Sequence, residues 1–501
     1  MLELIALVSG ALVMVLEMVG ARVMAPHLGT SVIVWTSLIG VVLACLALGA
    51  WLGGRLADRT VSRATLARIL AWAGCGSALT GLFHAVVAGA VASFVSNLHL
   101  AAVACAILLL ALPATFFGMV TPYVIRLRMA DLASSGRTVG NLYALSTMGS
   151  IAGTFLGGFV LVSWFDSTHI LLGTGAGMLL LSLLAYPRPA RARAALLLLV
   201  CLGGWAVTSY EAFQLAAGGP RTVETPYNHI RIARGQDHTG RDLLCLATDP
   251  GRFQSAMYVD DPTGLALPYT RFFALGPALV PDAQRVLMLG GGAYSVPRWL
   301  LAGRSALDAD ALRLDVVELD PGMTQVTRDY FGLVDDPRLR IVHEDARTFC
   351  NRNTEPYDLV FVDVFGSCYA IPFHAGTVEA AGAMRRAVGD RGALVMNVIA
   401  SLEGEAGKLF QSIHAALSLH FAEIHVFAVT DPADPDLIQN LMLVALPAKR
   451  PDLAEILAGS SKDPALAAFL ASRVTAPVPA IPPLRDDFAP VERYSLALMI
   501  R

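Results

Sequence analysis

Charge is scarce in this 501-residue chain: Asp, Glu, Lys and Arg make up 15% of it, against 55% hydrophobic residues. With a positive mean hydropathy, that is too apolar for one water-soluble globule. The charge is also uneven. Residues 1–210 hold 16 of the 77 charged side chains, and the remaining 291 residues hold 61. A net charge of −3 excludes the electrostatic footprint of a nucleic-acid binder and gives no acidic tail. The seven cysteines form no CxxC or CxxxxC pair, which argues against a metal knuckle or a redox couple. Cys350 and Cys368 are expected as unpaired thiols, and no metal is expected. The N-terminus lacks the basic region of a signal peptide and carries Glu17 inside its first apolar run, so a retained first helix is expected.

Long apolar runs are what the first 210 residues do have. Stretches near 2–24, 31–54, 66–90, 98–125, 141–164 and 168–186 approach or exceed the ~20 residues of a span. A seventh, 194–210, is shorter and contains Gly203 and Gly204. Ten arginines (55, 59, 63, 68, 126, 128, 137, 188, 191 and 193) fall in alternate loops, whereas the opposite loops offer Arg22. This asymmetry places the N-terminus and those loops in the cytoplasm. Six spans, with 194–210 lying along the interface or re-entrant, then leave the C-terminal part cytoplasmic as well. Small residues repeat at four-residue spacing (Gly149, Gly153, Gly157; Gly173, Gly177), which lets helix backbones approach closely. Gly53–Arg59 resembles a short inter-helix loop of major-facilitator transporters and is read as a loop device. Glu17, ionisable within a span, is costly unless it is paired or faces a polar cavity.

Beyond residue 220 the pattern changes. Short strand-like runs at 227–233, 242–248 and 254–259, separated by turns, give a small β-hairpin subdomain. From 285 onward apolar, β-branched runs (285–289, 314–319, 339–342, 359–364, 393–399) alternate with helical segments, and runs at 424–430 and 441–446 follow. That alternation describes a parallel α/β sheet covered on both faces, whose ligands bind beyond the carboxyl ends of the strands. The tail after Pro447 offers no readable chemistry.

Each strand end presents a candidate. Gly290, Gly291 and Gly292 follow the first strand, where the backbone must approach a ligand at a helix N-terminus. Glu318 ends the second strand, at about the distance where an acidic residue takes ribose hydroxyls. Asp345 and Ala346 follow the third strand, and Asp363 closes the fourth after an apolar run. The glycine turn lacks the last glycine of a G-x-G-x-x-G element, so an S-adenosyl nucleoside suits the site better than a dinucleotide.

On these residues the region from Tyr227 to Ile399 resembles the spermidine synthase (polyamine aminopropyltransferase) family, and the whole chain resembles its membrane-fused bacterial members. Tyr227, Asn228, His229 and Ile230 match the family's opening strand motif, with Asn228 where Gln is usual. Gln254 matches its nucleoside-facing Gln. The resemblance implies that Glu318 holds the ribose, Asp345 the adenine amino group, and Asp363 acts as base for the attacking amine. It also implies decarboxylated S-adenosylmethionine or S-adenosylmethionine as co-substrate. The sequence departs from the family at Ala293, where an Asp usually contacts the ligand's amine, and at Gly366, where a second Asp pairs with the polyamine. Tyr269, Thr270 and Arg271 stand where a Tyr-His-Glu-like element is usual. Cationic amines need carboxylates to offset their desolvation, so the nucleoside half of the site matches better than the amine half.

The expected architecture is a multi-pass helical membrane domain (1–210), a β-hairpin subdomain (221–262), a Rossmann-like S-adenosyl-dependent transferase domain (263–447) and a tail (448–501). The expected activity is aminopropyl transfer to an amine. The alternatives are methyl transfer to a non-polyamine or lipid-associated acceptor, and a non-catalytic nucleoside-gated transporter or sensor. Tyr269, Tyr294, Tyr369 and His374 are acceptor-pocket candidates. The expected partners are a small-molecule amine or other nucleophile, the lipid bilayer of the inner membrane and, as a homodimer, a second copy of the chain.

Overall fold

The computed structural model describes every residue except 30, 96, 130–134, 187–190, 217–220, 249–252, 365–371, 451–463, 500 and 501. Two units result, Met1–Pro220 and Arg221–Arg501.

The first unit is helical: α1 (Leu2–Leu28), α2 (Val32–Arg59), α3 (Arg63–Phe94), α4 (Leu98–Arg128), α5 (Ser135–Phe155), α6 (Ser167–Ala185) and α7 (Arg191–Ala216). Helix α5 continues through a π-helical turn, Leu156–Leu161, to Trp164. Side-chain oxygens of Ser31, Ser62, Asn97 and Asp166 accept the N–H groups of Val34, Thr65, Leu100 and His169, satisfying donors that a helix start leaves free. Among the described residues six helices are long and apolar enough to cross a membrane; the apolar stretch of α7 covers only Ala192–Val207. Gly53–Arg59, expected as a loop, forms the last turns of α2. Gly53 packs there on Met119, whose Cα lies 2.7 Å from where a Cβ would stand.

Glycine sets how closely these helices approach. A Cβ on Gly149 or Gly153 would lie 1.9 Å from Leu7 O or 2.1 Å from Ala11 O, so α5 meets α1 backbone to backbone. Gly157 meets only side chains and Cα, at 3.5 Å or more, and Gly173 faces open space, so the four-residue repeat is used at just part of its length. An unheralded seam joins α2 to α4, where a Cβ on Gly49 would sit 2.0 Å from Thr115 O. Gly49→Ala is therefore expected to destabilise the protein by about 1–3 kcal/mol through overpacking. Gly54→Ala, with nothing within 4 Å, should stabilise it by up to about 1 kcal/mol through helix propensity. Thermal unfolding in detergent, followed by intrinsic fluorescence, compares the two.

The second unit contains two sheets. An antiparallel meander joins β1 (Arg221–Glu224), β2 (His229–Gln236), β3 (Asp242–Ala247) and β4 (Ser255–Tyr258). The larger sheet has the order β10-β11-β9-β8-β5-β6-β7, from β5 (Arg285–Leu289), β6 (Arg313–Val317), β7 (Leu339–Val342), β8 (Tyr357–Val362), β9 (Val388–Ala400), β10 (Glu423–Ala428) and β11 (Gln439–Leu446). Five strands, β9-β8-β5-β6-β7, run parallel. Their centres (Val286–Leu289 and Leu359–Val362) are at most 3% exposed, as expected of strands covered on both faces. An all-parallel sheet was expected, but β11 enters antiparallel between β9 and β10. Apolar runs alone do not state strand direction.

The tail has a structural task. Leu484, Val491 and Leu498 join the core beside Phe410 and Ile413, and Val378 N–H donates to Leu484 O at 2.9 Å. Thr377 donates to Asp486 at 2.6 Å across 109 positions of sequence. The segment thus ties down the start of the helix Val378–Ala387 and packs on the helix Gly404–Ser418, where Ser412 donates to Pro482 O at 3.2 Å.

Candidate active site

The carboxyl ends of β5, β6, β7, β8 and β9 open into a cavity of about 420 Å³ that also takes residues from the meander, a size suited to a nucleoside-sized ligand. It is lined by Asn228, Gln254, Gly290, Gly291, Gly292, Glu318, Asp345, Ala346 and Asp363, so every site residue proposed for nucleoside or catalysis reaches one cleft.

The glycine turn is fixed by backbone sterics. Gly290 has φ +88°, and a Cβ there would lie 2.2 Å from Asp363 O. Glycine at this position lets β5 and β8 run side by side up to the cleft. Glu318 lies across from the turn. Its Oε2 accepts from Gly291 N at 2.8 Å and Gly292 N at 3.3 Å, and Oε1 accepts from Asp320 N at 2.9 Å. Burial pushes the Glu318 carboxyl up; the N–H groups of Asp320, Gly291 and Gly292 counter this without cancelling it. Asn228 and Thr225 donate to Asp320 at 2.7 and 2.6 Å. The meander is thereby tied to the end of β6, and Asp320 caps the helix Pro321–Tyr330 through Gly322 N–H.

Asp345 Oδ1 caps the helix Ala346–Arg352 by accepting from Thr348 N at 2.9 Å, and its Oδ2 lies 2.9 Å from His374 Nε2. Burial opposes its charge, but the Thr348 N–H and His374 together outweigh it and hold the carboxyl below its usual range. Arg347, at the same end of the cavity, donates to Asp486 of the tail at 3.2 Å.

Asp363 stands one residue past β8. Its Oδ2 accepts from Tyr269 OH at 3.0 Å and its Oδ1 from Asn397 Nδ2 at 2.9 Å. Burial pushes its carboxyl up to about 6, less far than it would go without the Asn397 and Tyr269 donors. The Tyr269 hydroxyl is pushed upward in turn by burial and by the Asp363 charge, so it stays protonated and can donate. A carboxylate with this titration is ionised at neutral pH and can accept a proton there.

The acceptor candidates separate. Tyr269 touches Asp363, and His374 lines the cavity but pairs with Asp345. Tyr294 is corrected: it is fully buried, its ring would lie 2.8 Å from a Cβ on Gly291, and its hydroxyl meets Thr324 at 2.7 Å. It supports the glycine turn from below, because helix Ser295–Leu301 begins there and turns the side chain inward. Tyr369 and Gly366 lie outside the described residues. Ala293 is 1% exposed and its N–H donates to Ser255 Oγ at 3.2 Å. Sequence reasoning missed Asn397 and Asn440, which also line the cavity. Asn397 alone carried a signal, as a polar residue inside the apolar run 393–399.

No family model matches the chain. A polyamine aminopropyltransferase of Vibrio vulnificus is 28% identical over 225 residues, covering 44% of this chain and 71% of the relative. Another, from Streptococcus uberis, is 30% identical over 166 residues, covering 32% of this chain and 55% of the relative. A third, from Corynebacterium efficiens, is 24% identical over 266 residues, covering 47% of each chain. The chain thus spans about half the length of the second and third. Among solved structures, a probable spermidine synthase from Corynebacterium glutamicum is 24% identical with a TM-score of 0.41, covering 48% of this chain and 85% of that one.

Proposed function

We propose that this chain is a transferase of the spermidine synthase (polyamine aminopropyltransferase) family and uses its second unit to move an alkyl group from an S-adenosyl sulfonium donor to an amine. The donor is decarboxylated S-adenosylmethionine for aminopropyl transfer or S-adenosylmethionine for methyl transfer. One observation carries this reading: Glu318, Asp345, Asp363 and the glycine turn face a single cavity, as one nucleoside with a reactive centre requires. In this reading Glu318 takes the ribose hydroxyls, Asp345 with Ala346 takes the adenine edge, and Asn228 and Gln254 close the site from the meander.

The chemistry asked of the protein is alignment and proton removal. The amine nitrogen attacks the carbon bound to sulfur as the C–S bond breaks. That bond's electron pair returns to sulfur, leaving a neutral thioether, and the nitrogen loses a proton to Asp363. The sulfonium is already activated, so holding the two reactants in line supplies much of the rate. Asp363 must be ionised to accept the proton, so the rate should fall as pH drops through about 6. Tyr269→Phe removes a hydrogen bond to the charged form. It should move the acid limb of kcat/KM upward by about half to one unit, measured as a pH profile from pH 5 to 9. An unmoved limb would count against the Tyr269–Asp363 contact in catalysis. Incubation with each donor and a panel of amines, with mass spectrometry of the products, decides between the two groups. Tight donor binding with no product from any amine would favour a sensor.

In the same reading the first unit sits in the inner membrane through α1–α6, with α7 short of a span, and the second unit faces the cytoplasm. A cysteine at exposed Glu355, 72% exposed, should then be protected from an impermeant thiol reagent in intact cells and labelled after lysis.

A further inference from the structure

We propose that Asn440, on β11, is a positioning residue for the base: it fixes the orientation of the Asn397 amide so that Asn397 presents only N–H to Asp363. This rests on the reading of Asp363 as the proton acceptor.

The hydrogen bonds leave a single consistent arrangement. An ionised carboxylate only accepts, so Asn397 must turn its Nδ2 to Asp363 Oδ1, at 2.9 Å. Its Oδ1 then points the other way, where Asn440 Nδ2 donates to it at 3.0 Å. The strand pairing makes this possible. Asn397 lies opposite Met442 and Asn440 opposite Ile399, so the two amides are diagonal neighbours within side-chain reach. The antiparallel entry of β11 beside β9 is what delivers Asn440 to the end of β8. Asn397 is 2% exposed, so bulk water does not hold the amide. Without Asn440, half a turn about its last side-chain bond would set the Asn397 carbonyl oxygen against the carboxylate, acceptor to acceptor. Two such oxygens disfavour the ionised base.

Other groups do not substitute for the relay. Of the titratable and charged side chains that share the cavity with Asp363, Tyr269 touches it. Asp345 pairs with His374, Glu344 with Arg352 and Arg347 with Asp486, while Glu318 is held by backbone N–H groups. None of these contacts involves Asn440, so a change there reads the relay alone.

The test compares the full-length wild type with Asn440→Ala and Asn440→Asp in detergent by two measurements. One is the pH profile of kcat with the better donor and amine. The other is the pH dependence of carbodiimide labelling at Asp363, read by peptide mass spectrometry, which needs no turnover. The acid limb and the labelling midpoint should both rise by about half a unit or more in Asn440→Ala, so the rate at pH 6, about half the alkaline plateau in wild type, falls to about a quarter of the plateau or less. Asn440→Asp should shift both further, because its carboxylate competes for the same amide N–H. A midpoint that stays in place in both variants, or a rate lowered equally at every pH, overturns the proposal. If the midpoint moves but wild type alkylates no amine, the relay stands and the transferase reading fails; turnover with a fixed midpoint sinks the relay alone.

Discussion

Replacing Asp363 with asparagine is expected to lower kcat by about 10²–10⁴-fold, the usual worth of a general base, with little change in donor affinity. The substitution is nearly isosteric, and the site can absorb it. Tyr269 OH lies 3.3 Å from Gln254 O as well as 3.0 Å from Asp363. Its proton can turn to Gln254 while its oxygen accepts from the new amide. Stability should move in the opposite direction to activity. A carboxyl raised to about 6 from its usual 3.8 contributes stability at low pH that is lost as pH rises through 6. At neutral pH the folded protein therefore carries an ionised group it holds poorly, and Asp363→Asn should relieve on the order of 1–3 kcal/mol. A variant that is slower and yet melts higher is the signature of a base kept ionised at a cost in folding energy. Single-turnover kinetics, with thermal unfolding at pH 5 and 8, test both halves. Unchanged kcat at saturating donor would remove Asp363 from the chemistry.

Glu318→Ala should act on binding instead. If Glu318 takes the ribose as proposed, losing its charge-assisted hydrogen bonds to the hydroxyls costs about 1.5–3 kcal/mol, or about 10–150-fold in Kd. The glycine turn also loses its anchor, because Glu318 accepts from Gly291 and Gly292. Titration calorimetry with S-adenosylmethionine, and with its decarboxylated form, measures the loss directly. Donor-saturated kcat should change far less than in Asp363→Asn. An affinity equal to wild type would mean that Glu318 serves the glycine turn and not a ligand.

The sequence showed the alternation that builds β5 to β9, because strands buried on both faces must be apolar along their length. It showed Glu318 and Asp363 because a charge at the end of such a strand is conspicuous. It could not show which way β11 runs, since Val, Leu and Met are equally apolar in either direction. For that reason Asn440, seventy-seven positions after Asp363, was invisible as the partner of Asn397 beside that carboxylate. Tyr294 misled for a local reason: it adjoins the glycine turn in sequence, but a left-handed residue at a helix start, φ 53°, turns its side chain into the core. The close α2–α4 seam at Gly49 was missed because its partner is the Thr115 carbonyl, a backbone group that no side-chain pattern announces.

The strap formed by residues 484–498 has a bearing on biosynthesis. The helix Gly404–Ser418 leaves the ribosome about seventy positions before the segment that packs on it. During that interval Phe410 and Ile413, buried in the finished protein, lack part of their cover. A nascent chain stalled before Leu484 would therefore expose an apolar seam, the kind of surface that chaperones and quality-control proteases bind.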